Sequence, residues 1–77
     1  MARKPVYEVH RGMIVVRVWR KRRRKSGLYS TSAVRLFRNG TTWQESARFD
    51  PPDIPLIRLA LDEAYTWILL QAKEFES

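Results

Sequence analysis

The chain has 77 residues, with 15 Lys plus Arg against 8 Asp plus Glu, one His and no Cys, for a formal net charge of +7. This length allows one domain, which buries only about 60% of the surface its unfolded chain exposes. The absence of Cys excludes a disulfide and any Cys-based zinc or iron–sulfur site, which leaves self-association as the expected stabiliser. A hydrophobic content of 44%, with three each of Trp, Tyr and Phe, argues against a disordered tail.

The first five residues read as a flexible N-terminus without the apolar core of a signal peptide. Val6–His10 is a short predicted strand, with Arg11-Gly12 as the turn after it. Met13–Arg20, rich in Val and Ile, is a clear second strand. Arg20-Lys21-Arg22-Arg23-Arg24-Lys25 is a run of six cations, which places a basic hairpin loop over 20–27. Leu28–Arg38 alternates as a third strand, and Asn39-Gly40 is the strongest short hairpin signal, for a type I′ turn. Thr41–Phe49 returns as a fourth strand.

Asp50-Pro51-Pro52-Asp53 ends the strands, with Asp53 as the preferred helix N-cap because Pro55 then needs no amide donor. The helix is predicted over 53–75. Ile54, Ile57, Leu61, Ala64, Tyr65, Ile68, Ala72 and Phe75 form the stripe expected to pack on the sheet. Leu56, Leu59, Trp67 and Leu70 lie roughly opposite and are expected to form a homodimer interface. The expected fold is α+β: a four-stranded antiparallel sheet followed by one long helix packed on one face.

Charge is distributed unevenly along this order. Residues 1–48 hold 13 basic and 2 acidic side chains (Glu8 and Glu45), whereas residues 49–77 hold 2 basic and 6 acidic ones. A basic sheet beside an acidic helix points to an anionic partner, most often nucleic acid. No apolar run approaches the length of a membrane span, so no membrane association and a cytoplasmic location (nucleoid-associated in a bacterium) are expected.

Alternation sorts the strand residues into two faces. Ile14, Val16 and Val18 are assigned to the helix side, with Val34, Leu36, Trp43, Ala47 and Phe49. The outer face then receives Arg17, Trp19, Tyr29, Arg35, Phe37 and Arg48, with Thr42, Gln44 and Ser46. Glu45 falls on the helix side, the weak point of the assignment. Guanidinium groups fork onto phosphate oxygens, and exposed rings stack on unpaired bases at about 1–3 kcal/mol each. With the loop cations Arg20, Lys21, Arg22, Arg23, Arg24 and Lys25, this set is the expected nucleic-acid-binding surface. A competing use of the same rings is to cover a second sheet in a dimer.

Signals for catalysis are absent. His10 stands alone, Gly12, Gly27 and Gly40 are isolated turn residues, and turn formation explains Asp50 and Asp53 better than metal binding with Glu45 does. No enzyme activity, cofactor, metal or small-molecule substrate is expected.

Gly12-x-Ile14, Val18-Trp19-Arg20, Arg35-Leu36-Phe37, Trp43-x-x-Ser46-x-x-Phe49 and Ala64-x-x-Trp67-Ile68 resemble a group of small bacterial proteins, over nearly the whole chain. That resemblance brings no activity with it. In layout the chain also resembles the positive-cofactor-four and whirly class of single-strand DNA-binding proteins, which combine a curved four-stranded sheet, a dimerising helix and a basic hairpin. The likeness implies single-strand binding in transcription or replication. It would place Arg17, Trp19, Arg35, Phe37 and Arg48 on the binding surface, with Arg22, Arg23 and Arg24 on the hairpin. A second likeness, to the three-strand-plus-helix domains of tyrosine integrase arms and ethylene-response factors, implies a sheet in the major groove of duplex DNA. A third reading, from a different class, is a protein-interaction module for an acidic partner.

Overall fold

The computed structural model describes residues 4–21 and 28–76, the last five of these as backbone only. Four strands, β1 (Tyr7–Arg11), β2 (Ile14–Arg20), β3 (Tyr29–Asn39) and β4 (Thr42–Ser46), form one antiparallel sheet in the order β1-β2-β3-β4. A 3-10 turn, Pro51–Asp53, leads into helix α1 (Ile54–Glu76). The architecture is the α+β layout read from the sequence. Among the described residues, no helix is long and apolar enough to cross a membrane.

Both tight hairpins use glycine in the same way. Gly12 (φ 61°) and Gly40 (φ 66°) are each the first residue of a two-residue loop, and no other described residue has positive φ. That is the pattern of a type II′ turn. The expected type I′ turn centred on Asn39-Gly40 is therefore corrected: Asn39 stays in the strand and pairs with Thr42, and Gly40-Thr41 make the turn. Gly12 also lies beneath α1. A Cβ there would come within 3.1 Å of Leu56 Cδ1, and an L-residue at this φ is strained in any case. Gly12→Ala is expected to cost about 1–2 kcal/mol, read as a lower urea midpoint, whereas Gly40→Ala meets no neighbour and carries the backbone strain alone.

The core sits between α1 and the first two strands. Val9, Ile14, Val16, Val18, Ala60 and Ala64 are buried, with Tyr7, Tyr29, Leu56, Ile57, Trp67 and Ile68 packed around them. The Trp67 ring stacks on Tyr7 at 4.9 Å between centroids and 8° between planes, and meets Tyr29 edge-on at 5.4 Å. Two small residues, Ala60 and Ala64, let the helix approach the sheet closely, and the wide Trp67 fills the end of the interface. The helix is thus turned from the expected stripe toward Leu56, Ala60 and Trp67, while Ile57, Ala64 and Ile68 keep their expected place against the sheet. Leu56 and Trp67, assigned from sequence to a dimer face, belong to the core instead. Leu59 and Leu70 stay exposed, as do Ile54, Leu61, Tyr65 and Leu69.

The helix begins at Ile54, as the Pro55 argument requires, but the capping chemistry differs. The Asp53 carboxylate turns back to accept the Asp50 N–H at 2.9 Å, while the Asp53 N–H donates to the Asp50 carbonyl at 2.8 Å. Asp50 is the N-cap of the preceding 3-10 turn. Pro51 and Pro52 occupy first-turn positions whose missing donors cost nothing. Arg35 braces this corner, its Nε 3.4 Å from Asp53 Oδ2, an ion-pair separation without hydrogen-bond geometry.

Candidate nucleic-acid interface

Register decides which side chains share a face. β2 and β3 pair Ile14 with Arg35, Val16 with Ala33, Val18 with Thr31 and Arg20 with Tyr29. Because Ile14, Val16 and Val18 face the helix, Tyr29, Thr31, Ala33 and Arg35 do too, and Phe37 follows by alternation. The expectation of Tyr29, Arg35 and Phe37 on the outer face is overturned. Tyr29 packs against Trp67 and Arg35 braces Asp53. The same shift moves β4, where Thr42, Gln44 and Ser46 lie on the helix side and Trp43 and Glu45 point outward. Arg48 is exposed just past β4, its N–H donating to Ser46 Oγ at 3.1 Å. Arg22, Arg23, Arg24 and Lys25 lie outside the described residues.

The open face, away from α1, therefore carries Glu8 and His10 from β1, then Val15, Arg17 and Trp19 from β2. Ser30, Ser32, Val34, Leu36 and Arg38 come from β3, and Trp43 and Glu45 from β4. Its middle is apolar: Val15 is only 1% exposed, opposite Val34, and Leu36 is half-buried. At one end, Trp19 donates its indole N–H to Ser32 Oγ at 2.9 Å. Toward the other, Arg38 lies over the Trp43 ring, 5.7 Å from its centroid, and Trp43 is 53% exposed. A guanidinium held over a ring can still fork its N–H donors onto phosphate oxygens.

Arg17 is occupied differently. It donates to Glu45 Oε2 at 2.7 Å and to Glu8 Oε2 at 3.3 Å, and Glu8 also contacts His10 Nε2 at 2.9 Å. Two carboxylates on one guanidinium make it a bridge across three strands. The His10 hydrogen bond and the Arg17 charge hold Glu8 below the ordinary glutamate value of 4.5. The hydrogen bond from Arg17 does the same for Glu45, and the Arg17 pKa is raised chiefly by that bond. Depressed carboxylate pKa values contribute stability that is present above the unfolded glutamate pKa and lost as pH falls through the folded values. Stability should therefore begin to fall as pH drops below about 4.5, and Glu45→Gln should flatten the dependence of the urea midpoint on pH there.

The site missed from the sequence is Arg38 with Trp43. Glu45 held the signal for it: a carboxylate assigned to a core face meant that the strand was the wrong way round. Arg20 ends β2 on the helix side, and Lys21 closes the base of the basic hairpin through its backbone N–H to the Leu28 carbonyl at 2.8 Å. Asp50 and Asp53 engage Arg35 while Glu45 engages Arg17, and the described residues contain no group of three metal-ligating side chains. Searches of family models, curated proteins and solved structures find no match to this chain.

Proposed function

We propose that the open sheet face and the basic β2–β3 hairpin bind single-stranded nucleic acid, without catalysis. The observation that carries this reading is the pairing of Arg38 with the exposed Trp43 on the same uncovered face as Trp19. Ser30, opposite Trp19, and Arg38, opposite Trp43, are eight residues apart on β3, about 26 Å at 3.3 Å per residue. A flexible strand laid diagonally over the sheet meets a ring at each end, with hydroxyls and an apolar floor between. Duplex bases are already stacked on one another, so ring platforms favour unpaired ones. The run at 20–25 adds cations at the Trp19 end. Base stacking and phosphate charge both tolerate any sequence, so the binding is expected to show little sequence preference.

The test is a fluorescence-anisotropy titration with an oligothymidylate and with a duplex of equal length. Neutralising about five phosphates predicts roughly a 100-fold loss of single-strand affinity between about 50 mM and about 200 mM salt. Tighter binding to the duplex would transfer the surface to a groove-reading role, and no binding at low salt would remove the nucleic-acid reading.

A further inference from the structure

β3 is longer than the strand that covers its outer edge. It has 11 residues and β4 has 5, and their pairing stops at Arg35 opposite Ser46. The Ser46 hydroxyl accepts the Arg48 N–H at 3.1 Å, a local turn that takes the chain off the sheet there. Tyr29 to Val34 is therefore paired with β2 on one side only. The Leu36 N–H donates to the Met13 carbonyl and the Leu28 carbonyl accepts from the Lys21 N–H, so the even-numbered backbone groups of β3 point to β2. Those of Tyr29, Thr31 and Ala33 point outward and have no backbone partner among the described residues. Exposed edges are usually blunted by charge, proline or a bulge. Tyr29-Ser30-Thr31-Ser32-Ala33-Val34 has neither charge nor proline, and its register with β2 runs without a bulge.

A groove runs beside this edge on the helix side, because α1 packs on β1 and β2 and leaves β3 along its flank. Thr31, Leu61, Asp62, Ala64, Tyr65 and Ile68 line a cavity of about 290 Å³ there. Leu61 and Tyr65 are 40% and 60% exposed. Asp62 has no ion-pair partner among the described residues. We infer that a protein partner adds an extended segment to the β3 edge at Tyr29–Val34, setting an apolar side chain in this groove and a lysine or arginine toward Asp62. Main-chain bonds at alternate residues supply the affinity, and the groove selects the side chains between them. The unpaired edge specifies an extended backbone, and the Asp62 carboxylate specifies the charge. A second copy of this chain fits less well. Pairing β3 with β3 about Thr31 would direct the cation run at 20–25 of each copy toward Arg48 of the other, where like charges oppose. The added strand lies beside β3 in the plane of the sheet, so Trp19 and Trp43 stay uncovered.

Selection of displayed random nonapeptides on the immobilised full chain tests the edge. The wild type should enrich sequences with apolar residues at alternate positions and a lysine or arginine among them. Thr31→Pro removes one outward donor and spares the bonds to β2, a position where edge strands tolerate proline. It should keep the wild-type circular dichroism spectrum and bind the enriched peptides roughly tenfold more weakly, the effect of one main-chain bond lost with its partner left unsatisfied. Leu61→Glu puts a charge in the groove and should weaken them to a similar degree. On the wild type, an enriched peptide should slow amide exchange at Tyr29, Thr31 and Ala33 and leave Ser30, Ser32 and Val34 unchanged, an alternation that needs no variant to fold. No enrichment, equal enrichment by wild type and Thr31→Pro, or protection without that alternation would overturn the proposal. So would edge protection that grows with protein concentration alone, which assigns the edge to a second copy. Oligothymidylate affinity should be the same in Thr31→Pro as in the wild type, so loss of the peptide and loss of the single strand are separate results.

Discussion

Trp67→Ala is expected to cost about 3–5 kcal/mol of folding stability, the usual toll for removing a large core aromatic. At about 0.05–0.15 kcal/mol per residue, a chain of 77 residues has only about 4–12 kcal/mol in total. The variant should therefore be largely unfolded or melt far below the wild type. Trp67 joins three elements: its ring lies flat on Tyr7 of β1 and edge-on to Tyr29 of β3, from a position late in α1. Its loss opens a cavity at the end of the helix–sheet interface, beyond the point where Ala60 and Ala64 make close contact. Trp67→Phe keeps an aromatic surface against Tyr7 and should cost less. Thermal and urea denaturation followed by far-UV circular dichroism check the order. Wild-type stability in Trp67→Ala, with a change only in mass, would return Trp67 to an intermolecular face.

The second large effect is on binding. Trp43→Ala and Trp19→Ala should each weaken single-strand affinity by about 1–3 kcal/mol, or roughly 5- to 150-fold. Trp43 is the cleaner site, because it is the more exposed and its removal leaves no buried polar group behind. Trp19→Ala also releases the Ser32 hydroxyl, so a small loss of stability should accompany it. Arg38→Ala should reduce both affinity and its salt dependence. Arg35→Ala should instead loosen the Asp50–Asp53 corner and leave affinity close to wild type, since Arg35 faces the helix side. Anisotropy titrations of the four variants at two salt concentrations distinguish a site on the open face from the set of rings and arginines first expected.

Most of the element order was legible because local signals carry it: valine-rich alternation in β2, glycines at two turns, and the Pro-Pro break before α1. The face assignment of β3 and β4 was not. A one-residue change in pairing moves every side chain of a strand to the other face. In sequence, β2 and β3 are joined by a run of cations followed by Ser26-Gly27, and a loop of that length does not fix the parity of the pairing. β4 was carried along with β3, since the β3–β4 parity was right. The helix rotation was hidden for a different reason. The expected stripe included Ala64 but left out Ala60, because counting large apolar residues gives a small one little weight, yet small residues are what permit close approach. Trp67 read as lying opposite the core stripe, whereas Tyr7 and Tyr29 supply the surfaces that hold it in the core. Arg17 was legible as an outward cation, but not as one already engaged by Glu8 and Glu45.

The central claim is that unpaired bases stack on the open sheet face, and the most direct measurement is two-dimensional proton–nitrogen NMR during titration with a short oligothymidylate. The predicted result is movement of the Trp19 and Trp43 indole signals and of the β3 amides from Ser30 to Arg38, with the Trp67 indole signal unmoved. Shifts confined to α1 between Ile54 and Leu69, or none at low salt, would contradict it.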